Sequence, residues 1–494
     1  MIDPAPPLPA GDPAALRDPR LVALWPTLTA RAAAGDRTML VVNSVNFDIP
    51  EHLNAVVPAY EERFLFVVLT LLRQPGGRVV YVTSQPVLPR LVDYYFSMVP
   101  GLAGRERLHL VSIGDGSPGP LTRKIVSRPR LVERLRRLVA DPDRALIFPF
   151  STTEAEMELG ALLDVPVYGP HPSLAHLGTK TGSRQVFAAA GVPAPAGVEG
   201  VRTRAEVRDA IRAIVAARPA ATAVVVKLDD SISGLGNAVV RLTGGDLDED
   251  LDAAEPQDTQ ASAAEFFATL ERRGGIVEER IVAPLLLSPS VQLRAGPLGQ
   301  VEVLSTHDQL LGGPSGQSFL GCRFPADPAY APLVTEYALR VGERLAAHGV
   351  VGRFGIDFVV HPDGDGWTAY AIEVNLRNGG TTHPLLTLAA LTDGTYDAAA
   401  GEFRCADGTA RHYVASDHVE SPAYRSLTPD DLLDLVDERG LGWDPDTRTG
   451  LAFHMVSALA VAGQVGVTAV GTTPGQADEL FAGARRALDE AAGA

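Results

Sequence analysis

The sequence predicts an α/β protein with several domains, and three observations support this. A chain of 494 residues is longer than a single hydrophobic core usually serves, so two to four structural units are expected. Short apolar runs alternate with segments of helical spacing in the first third of the chain, which is typical of a parallel sheet covered by helices. Beyond about residue 175 the pattern changes to strand-like runs joined by glycine-rich turns, which indicates a different kind of domain.

The N-terminal part contains a series of strand-like runs, at 39–42, 78–82, 108–111, 145–148 and 165–168. Helical spacing of apolar residues occurs between them, for example at 60–72 and 130–139. Alternation of this kind favours parallel pairing, because parallel strands need a crossover connection. We therefore predict one α/β domain over residues 1–175.

A second domain is predicted over residues 176–400, followed by a small closing module over 401–494. The second domain divides into a lobe at about 176–285, which carries a glycine-rich turn, and a lobe at about 286–400, which ends in an acidic hairpin. The acidic, Ala-rich stretch 244–264 is interpreted as a solvated insertion, because charge runs usually cover exposed faces.

Composition excludes several classes of protein. The formal net charge is -17 and the pI about 5.1, so no nucleic-acid or membrane partner is expected, because both need a basic face. Only Cys322 and Cys405 occur, without metal-ligand spacing, so a reducing, cytoplasmic setting is the default expectation. No apolar run reaches the roughly 20 residues of a membrane helix, and the first residues do not resemble a signal peptide.

Two lysines stand where a phosphate could be bound. Lys180 opens a predicted helix, although such a lysine on its own is more often solvated. Lys227 ends an apolar strand and is followed by the Ser/Gly turn 231–237, whose backbone N–H groups can surround an anion. An ordinary hairpin with a flexible turn is the alternative, but it does not require a lysine before the turn.

The segment 275–282 is an apolar strand interrupted by Glu278 and Glu279. Two adjacent acids are unusual in a buried strand. They suit a hinge whose backbone and carboxylate groups bind an adenine edge while apolar neighbours sandwich the ring. An edge strand with two solvated acids is the alternative.

The strongest pattern is a polar hairpin centred near residue 365. Asp357 lies on its first strand, and Glu373, Asn375 and Arg377 alternate along the second, which places these three on one face. Carboxylate and amide oxygens are ligands that Mg²⁺ prefers, so Asp357, Glu373 and Asn375 are the predicted metal ligands. Arg377 can hold a carboxylate through two hydrogen bonds. A hairpin with a polar solvent face is the alternative.

In this order along the chain, the four pieces resemble the ATP-grasp superfamily, and more narrowly the pheganomycin-type peptide ligases. The likeness extends over almost the whole chain. Long matching strings occur at 60–65, 82–86, 93–95, 288–294, 305–309, 321–326, 373–377 and 380–384.

The resemblance implies an N-terminal pre-ATP-grasp domain, a two-lobed ATP-grasp domain and a small C-terminal module. It implies a cytoplasmic ligase in specialised peptide (antibiotic) biosynthesis that joins a small-molecule carboxylate to an amine through an acyl phosphate, and releases ADP and phosphate. ATP and Mg²⁺ are the implied cofactors, with Mn²⁺ as a compatible substitute, and a homodimer is compatible with the family.

The resemblance also implies roles for individual residues. Nucleotide contacts are implied at Lys180, Lys227, Ser231, Ser233, Gly234, Gly236, Asn237, Glu278, Glu279 and Ile281. Arg377 resembles the superfamily arginine near the reacting carboxylate, beside the metal ligands Asp357, Glu373 and Asn375. Many ATP-grasp enzymes place an acidic ribose contact just after the hinge. Residues 284–289 contain no acid, so no ribose contact is assigned.

Further residues are candidates for catalysis or substrate binding. Arg294 and Arg353 join Arg377 as predicted catalytic residues, and Arg294 and Arg377 are also predicted to bind substrate. His307, Thr382 and His383 lie in the matching strings and are predicted to bind substrate as well, although a lone histidine is more often structural.

Two other functions compete with a ligase. An ATP-grasp phosphotransferase would transfer phosphate without making an amide, but no phosphohistidine partner domain is recognisable in the sequence. A catalytically silent nucleotide-binding module would not need the intact set of Lys227, Asp357, Glu373, Asn375 and Arg377.

Overall fold

Four parallel strands form the sheet of the N-terminal segment in the computed structural model of the protein. The structure describes residues 13, 16–29, 37–46, 51–99, 101–231, 234–313, 316 and 318–493. The strands pair in the order β3-β2-β1-β4. The segment comprises α1 (Pro19–Thr29), β1 (Arg37–Val42), α2 (Val57–Glu62), α3 (Leu65–Leu69), β2 (Gly77–Thr83), α4 (Pro89–Ser97), β3 (Leu108–Ser112), α5 (Leu121–Val126), α6 (Pro129–Val139), β4 (Ala145–Pro149) and α7 (Glu154–Leu163).

Both faces of this parallel sheet are buried, as its continuous apolar strands predict. Leu40 and Val42 pack into one core, whereas Val41 between them packs into another. Two details differ from the prediction. The run 165–168 makes only an isolated parallel bridge, between Ile147 and Val167. The predicted helix 60–72 is divided into the short helices α2 and α3, followed by a 3₁₀ turn.

The next segment forms an antiparallel sheet with the order β5-β9-β6-β7-β8. Its elements are α8 (Lys180–Ala190), β5 (Gly197–Val201), α9 (Arg204–Ala217), β6 (Ala223–Leu228), β7 (Asn237–Arg241), α10 (Leu247–Asp252), β8 (Glu255–Pro256), α11 (Ala263–Arg273) and β9 (Gly275–Glu279). The solvated insertion predicted at 244–264 is wrong in part. Leu251 is fully buried in the core of this sheet, and Asp250 accepts a hydrogen bond from the Thr243 hydroxyl at 2.7 Å.

The remaining chain builds an eight-stranded sheet with the order β14-β13-β10-β11-β12-β17-β19-β18. This part of the chain comprises β10 (Pro289–Ala295), β11 (Val301–Gly312), β12 (Ser318–Phe324), α12 (Ala331–Ala347), β13 (Gly352–Asp363), β14 (Gly366–Asn375), α13 (Thr382–Thr392), β15 (Thr395–Asp397), β16 (Glu402–Arg404), β17 (His412–Glu420), α14 (Pro429–Glu438), β18 (Gly450–His454), α15 (Ala458–Ala462), β19 (Gln464–Gly471) and α16 (Pro474–Ala492). Of these strands, β15 and β16 form a separate two-stranded antiparallel sheet.

The strands that follow residue 400 continue this sheet. β17 pairs with β12 through Cys322 and Ala415, and β19 and β18 follow it. The predicted closing module therefore shares a sheet with the lobe at 286–400. The division of the chain into domains stays a prediction.

A buried ion pair joins the N-terminal segment to these last strands. Arg63, directly after α2, pairs with Asp417 on β17 at 2.5 Å, and Asp417 also contacts Nε2 of His454 on β18 at 2.7 Å. Arg63 donates a second hydrogen bond to the Gly380 carbonyl at 3.1 Å. Both ends of the chain thus pack against the loop that follows β14.

Both cysteines are buried thiols without a disulfide partner. Cys322 packs with Phe324 and Tyr413, and burial raises the pKa of its thiol well above the usual value. Among the helices that the structure describes, none combines the length and the apolar character needed to cross a bilayer.

Candidate active site

A cleft of about 500 Å³ is lined by residues of both the five-stranded and the eight-stranded sheet. Val225, Lys227 and Glu278 contribute from the first sheet, and Asp357 and Asn375 contribute from the second. The parts of the chain that carry the predicted nucleotide and metal residues therefore face one another.

Lys227 lies near the end of β6 and points into the cleft from the first sheet. Its ammonium forms an ion pair with Glu278 on the neighbouring strand β9, and both side chains are more than 90% buried. Arg184 of α8 approaches the same carboxylate at 3.5 Å. Glu278 thus acts as a counter-charge for two cations, rather than presenting a free carboxylate to an adenine edge.

The turn after β6 returns the chain to β7 above Lys227. Gly234 has a φ of +76°, and its carbonyl accepts a hydrogen bond from the Asn237 N–H at 2.9 Å. A Cβ at Gly236 would lie 2.3 Å from the Cβ of Ser231, so only glycine fits there. Gly234 and Asn237 line the cleft, and Ser233 lies outside the described residues.

The predicted hinge leaves the sheet earlier than expected. β9 ends at Glu279, whose N–H donates to Ala196, and the Arg280 N–H donates to Ala223 at 3.1 Å. Residues 279–283 line the mouth of the cleft together with Leu286. Ile281 and Leu286 give this end an apolar lining, which suits the faces of a flat heterocycle.

The three predicted metal ligands meet on adjacent strands of the second sheet. Asp357 of β13 stands directly opposite Glu373 of β14. The Asn375 amide donates to Asp357 at 2.9 Å and to Glu373 at 3.0 Å. Burial and the negative charge of Glu373 raise the pKa of Asp357. Two carboxylates on directly opposite residues of a partly buried site repel each other unless a cation neutralises them.

Lys180 supplies a positive charge to this cluster from the start of α8. Its ammonium forms an ion pair with Glu373, and the side chain is 8% exposed. Although burial disfavours the Glu373 carboxylate, the Lys180 charge and hydrogen bond lower its pKa. The two lysines that resemble nucleotide contacts therefore each stand beside a glutamate, of which Glu278 is buried and Glu373 is partly buried.

Arg377 lies two residues beyond the end of β14 and lines the cleft. It lines both this cleft and a second cavity of about 400 Å³, which it shares with Asn375. Its guanidinium lies 5.9 Å from the Phe150 ring centroid, and burial lowers its pKa. The second cavity reaches Ser151 and Thr153 after β4, and Lys180, Asp229 and Ser231 on its other side. Arg377 thus stands where the two cavities meet.

The structure does not bring Arg294 and Arg353 to the cleft. They stand opposite each other on the paired strands β10 and β13. Each lies two residues from the pair Gln292 and Gly355 and on the same face of the sheet. Arg294 forms an ion pair with Glu302 and stacks over Trp25 at 5.3 Å, and burial lowers the pKa of Arg353 to about 10. Both arginines pack beneath the N-terminal segment, so their predicted catalytic role finds no support in this arrangement.

The predicted substrate-binding residues His307, Thr382 and His383 also lie outside the cleft lining. His307 is fully buried, and its Nε2 bonds to the Tyr413 hydroxyl at 2.6 Å. The Thr382 hydroxyl accepts from the Gly379 N–H at 2.9 Å, and the His383 ring packs 4.1 Å from His454. These contacts hold the three side chains in the walls around the cleft, and their predicted role in substrate binding stays a prediction.

Three cleft residues were missed by the sequence analysis. Gln309 donates to Asp357 at 2.7 Å, and Ser290 and Gln292 lie on the cleft floor in β10. All three occur in the matching strings 288–294 and 305–309. The alternation of polar and apolar letters in those strings was the signal that could have found them.

Comparison with known proteins agrees with this geometry. A family model described as IQCH-like, ATP-grasp matches residues 254–399, and one described as PGM1 C-terminal domain matches residues 431–483. The L-propargylglycine--L-glutamate ligase of Streptantibioticus cattleyicolor is 35% identical over 422 residues, which is 82% of this chain and 85% of that protein. The IQ motif-containing protein H of Danio rerio is 21% identical over 373 residues, 66% of this chain and 35% of that protein.

Solved structures share the fold. N5-carboxyaminoimidazole synthetase from Staphylococcus aureus, complexed with ADP, has a TM-score of 0.52 at 12% identity, and the match covers 92% of this chain and 98% of that one. The biotin carboxylase domain of Hydrogenobacter thermophilus 2-oxoglutarate carboxylase has a TM-score of 0.52 at 15% identity, over 90% and 89%. Given the ligase that is 35% identical to it, this chain belongs to the ATP-grasp family of carbon–nitrogen ligases.

Proposed function

We propose that this ligase activates the carboxylate of an amino acid or peptide as an acyl phosphate and joins it to the amine of a second small molecule. The relative named for L-propargylglycine and L-glutamate supports amino-acid substrates. The observation that carries the proposal is the convergence of Lys227, the Asp357–Glu373–Asn375 cluster and Arg377 in one cleft.

The outer part of the cleft suits ATP. Ile281 and Leu286 offer apolar surface for the base, and Lys227 and the turn after β6 lie further in, where the phosphates would follow. Lysines and backbone N–H groups aimed at a transferring phosphoryl group stabilise its charge without reorganisation. Lys180 reaches the same region from the second cavity through its pair with Glu373.

The cluster of hard oxygens fits a divalent cation. Asp357 and Glu373 supply carboxylate oxygens, and Asn375 supplies its carbonyl oxygen once the amide is turned, since its nitrogen now donates to both acids. Mg²⁺ bound there would neutralise phosphate oxygens during transfer. Gln309 holds Asp357 in place through its hydrogen bond at 2.7 Å.

We assign to Arg377 the orientation of the acid substrate, because it lines both cavities. A carboxylate oxygen of the acid attacks the γ-phosphorus and ADP leaves. The amine nitrogen then attacks the acyl carbon, loses a proton, and phosphate leaves with one oxygen of the former carboxylate. The second cavity, with Asp229 and Asp230 on its wall, gives the amine a route that does not cross the nucleotide.

The proposed reaction is tested by following the carboxylate oxygen of the acid substrate. An ¹⁸O-labelled acid should transfer one label to the released phosphate, and hydroxylamine in place of the amine should trap the activated acid as a hydroxamate. ADP and phosphate should appear only when both an acid and an amine are present. AMP with pyrophosphate as products would overturn the proposal and indicate adenylation.

The same assay separates the competing functions. A phosphotransferase would give a phosphorylated product and no hydroxamate. A silent nucleotide-binding module would bind ATP without acid-dependent turnover.

A further inference from the structure

Two polar side chains on β10 face the cleft and have no hydrogen-bond partner among the described residues. Gln292 is 7% exposed, and its amide makes no hydrogen bond within the described part of the chain. Ser290 is 1% exposed, and no group that the structure describes binds its hydroxyl. Buried polar groups are nearly always paired, so two such residues side by side in a cleft require an explanation.

A second pair of unsatisfied groups lies directly beside them on β11. His307 stands opposite Ser290, and Ser305 stands opposite Gln292. Opposite residues of an antiparallel pair point to the same face, with Cβ atoms about 5 Å apart. The Ser305 hydroxyl and Nδ1 of His307 also lack partners among the described residues. Four neighbouring side chains therefore each have a polar group without a hydrogen-bond partner among the described residues.

The position of this group relative to Arg377 follows from two glycines. Gly355 lies between Gln292 and Asn375 in the sheet register, and a Cβ there would be 2.7 Å from the Gln292 amide nitrogen. The Gln292 amide oxygen is 4.0 Å from the Cβ position of Gly379, two residues beyond Arg377. The Gln292 amide thus lies over the backbone of two glycines, where no side chain fills the space. A substrate held at Arg377 would extend into this space.

All four groups are neutral. Serine and glutamine carry no charge, and burial lowers the pKa of His307 to about 3, which keeps the ring uncharged at neutral pH. A buried ion without a counter-charge is costly, whereas a neutral amide can use both donors and acceptors. Asp357, which stands opposite Ser290 on β13, and Arg377 have other roles in the proposed function.

We infer that Ser290 and Gln292, backed by Ser305 and His307, form a specificity subsite for an uncharged amide that the acid substrate carries beside its reacting carboxylate. The inference rests on the proposed function and narrows it. The preferred acid is a peptide or N-acylated amino acid, whose neutral amide pairs with the Gln292 carboxamide. A free amino acid would bring a charged ammonium to the same place.

The experiment offers each amino acid free and N-acetylated, with ATP and with hydroxylamine as the amine. The wild type should favour the acetylated acids by at least about 10-fold in kcat/KM, because a site built to hydrogen-bond a group discriminates against ligands that lack it. Q292L should lower kcat/KM about 10- to 100-fold for acetylated acids and less than about threefold for free ones. The KM for ATP should not change. S290A should also lower kcat/KM more for acetylated acids than for free ones.

Thermal melting distinguishes recognition from a structural role. Q292L should melt at or above the wild-type temperature, because it removes a buried amide that has no partner. Q260L makes the same change at an exposed glutamine and should alter neither activity nor melting.

Three results would overturn the inference. The first is a wild-type preference for free amino acids. The second is a preference for acetylated acids that Q292L leaves intact, which would indicate that the four groups bind ordered water and not the substrate. The third is a lower melting temperature of Q292L with equal losses for both kinds of acid. A protein that forms hydroxamate from no acid would instead refute the proposed function, and this inference with it.

Discussion

Glu373 contacts more of the charged and polar groups of the candidate site than a single ion pair would require. It forms an ion pair with Lys180, accepts from the Asn375 amide at 3.0 Å and stands opposite Asp357. A carboxylate there can bind a cation through two oxygens, whereas an amide offers one neutral oxygen. We therefore expect its charge to be more important for turnover than its hydrogen bonds.

Glu373→Gln should lower turnover by on the order of 10³-fold at saturating magnesium, which corresponds to several kcal/mol at the transition state. The melting temperature without metal should change little, because the lost pair with Lys180 is offset by the relief of repulsion with Asp357. Glu302→Gln is the matched control, since it weakens an ion pair with Arg294 outside the cleft, in which the Glu302 side chain is 55% exposed. Wild-type turnover in a folded Glu373→Gln protein would show that Glu373 holds no metal.

Lys227→Met should weaken ATP binding at least about 10-fold by calorimetry, because an ammonium beside the phosphates is lost while the packing of its stem is kept. Lys124→Met removes the same charge in the N-terminal segment, where Lys124 donates to the Asp115 carbonyl at 3.1 Å, and should leave ATP affinity unchanged. Equal affinities in the two variants would remove the phosphate role of Lys227.

The turn between β6 and β7 is the element expected to respond to nucleotide. Its glycines leave the backbone N–H groups accessible, and the short distance from Gly236 to Ser231 restricts how it can fold. Hydrogen exchange in the peptide 229–240 should slow when an ATP analogue and magnesium are bound. A peptide from β17 serves as the control, and equal exchange with and without the analogue would contradict a phosphate-covering role.

At the scale of the whole molecule, the Arg63–Asp417 pair holds the two ends of the chain against the cleft wall. Both side chains are less than 10% exposed, and Asp417 also binds His454. Burial disfavours the Asp417 carboxylate, but Arg63 and His454 lower its pKa to about 2. The pair therefore stays ionised across the pH range in which such an enzyme works.

Asp417→Leu should lower the free energy of unfolding by about 3–5 kcal/mol in urea titrations, because it leaves Arg63 buried without its counter-charge. The double change Arg63→Met with Asp417→Leu should be less destabilising than this single change, since replacing both ions removes the uncompensated charge. A double variant as unstable as the sum of the two singles would show that the pair contributes no coupling. Arg404→Met breaks an exposed pair with Glu402 and should cost less than about 1 kcal/mol.

The α/β fold class, the family and the residues of the polar hairpin were predictable from the sequence alone, because these depend on local patterns. Period two puts Glu373 and Asn375 on one face of any strand, and a lysine before a Ser/Gly turn suits an anion wherever it lies. The assigned roles stay predictions for the experiments above. The structure shows that Lys227, Glu278, Asp357, Glu373, Asn375 and Arg377 line one cleft.

Only the tertiary structure decided which residues share that cleft. Lys180 meets Glu373 across 193 positions of sequence, and Gln309 reaches Asp357 across 48. Arg294 and Arg353 lie on the same face of the sheet as Gln292 and Gly355, two residues away along their strands. That distance takes them out of the cleft and under the N-terminal segment. Local periodicity determines which face a side chain occupies, whereas the depth along that face depends on long-range strand pairing and on which segment packs above it.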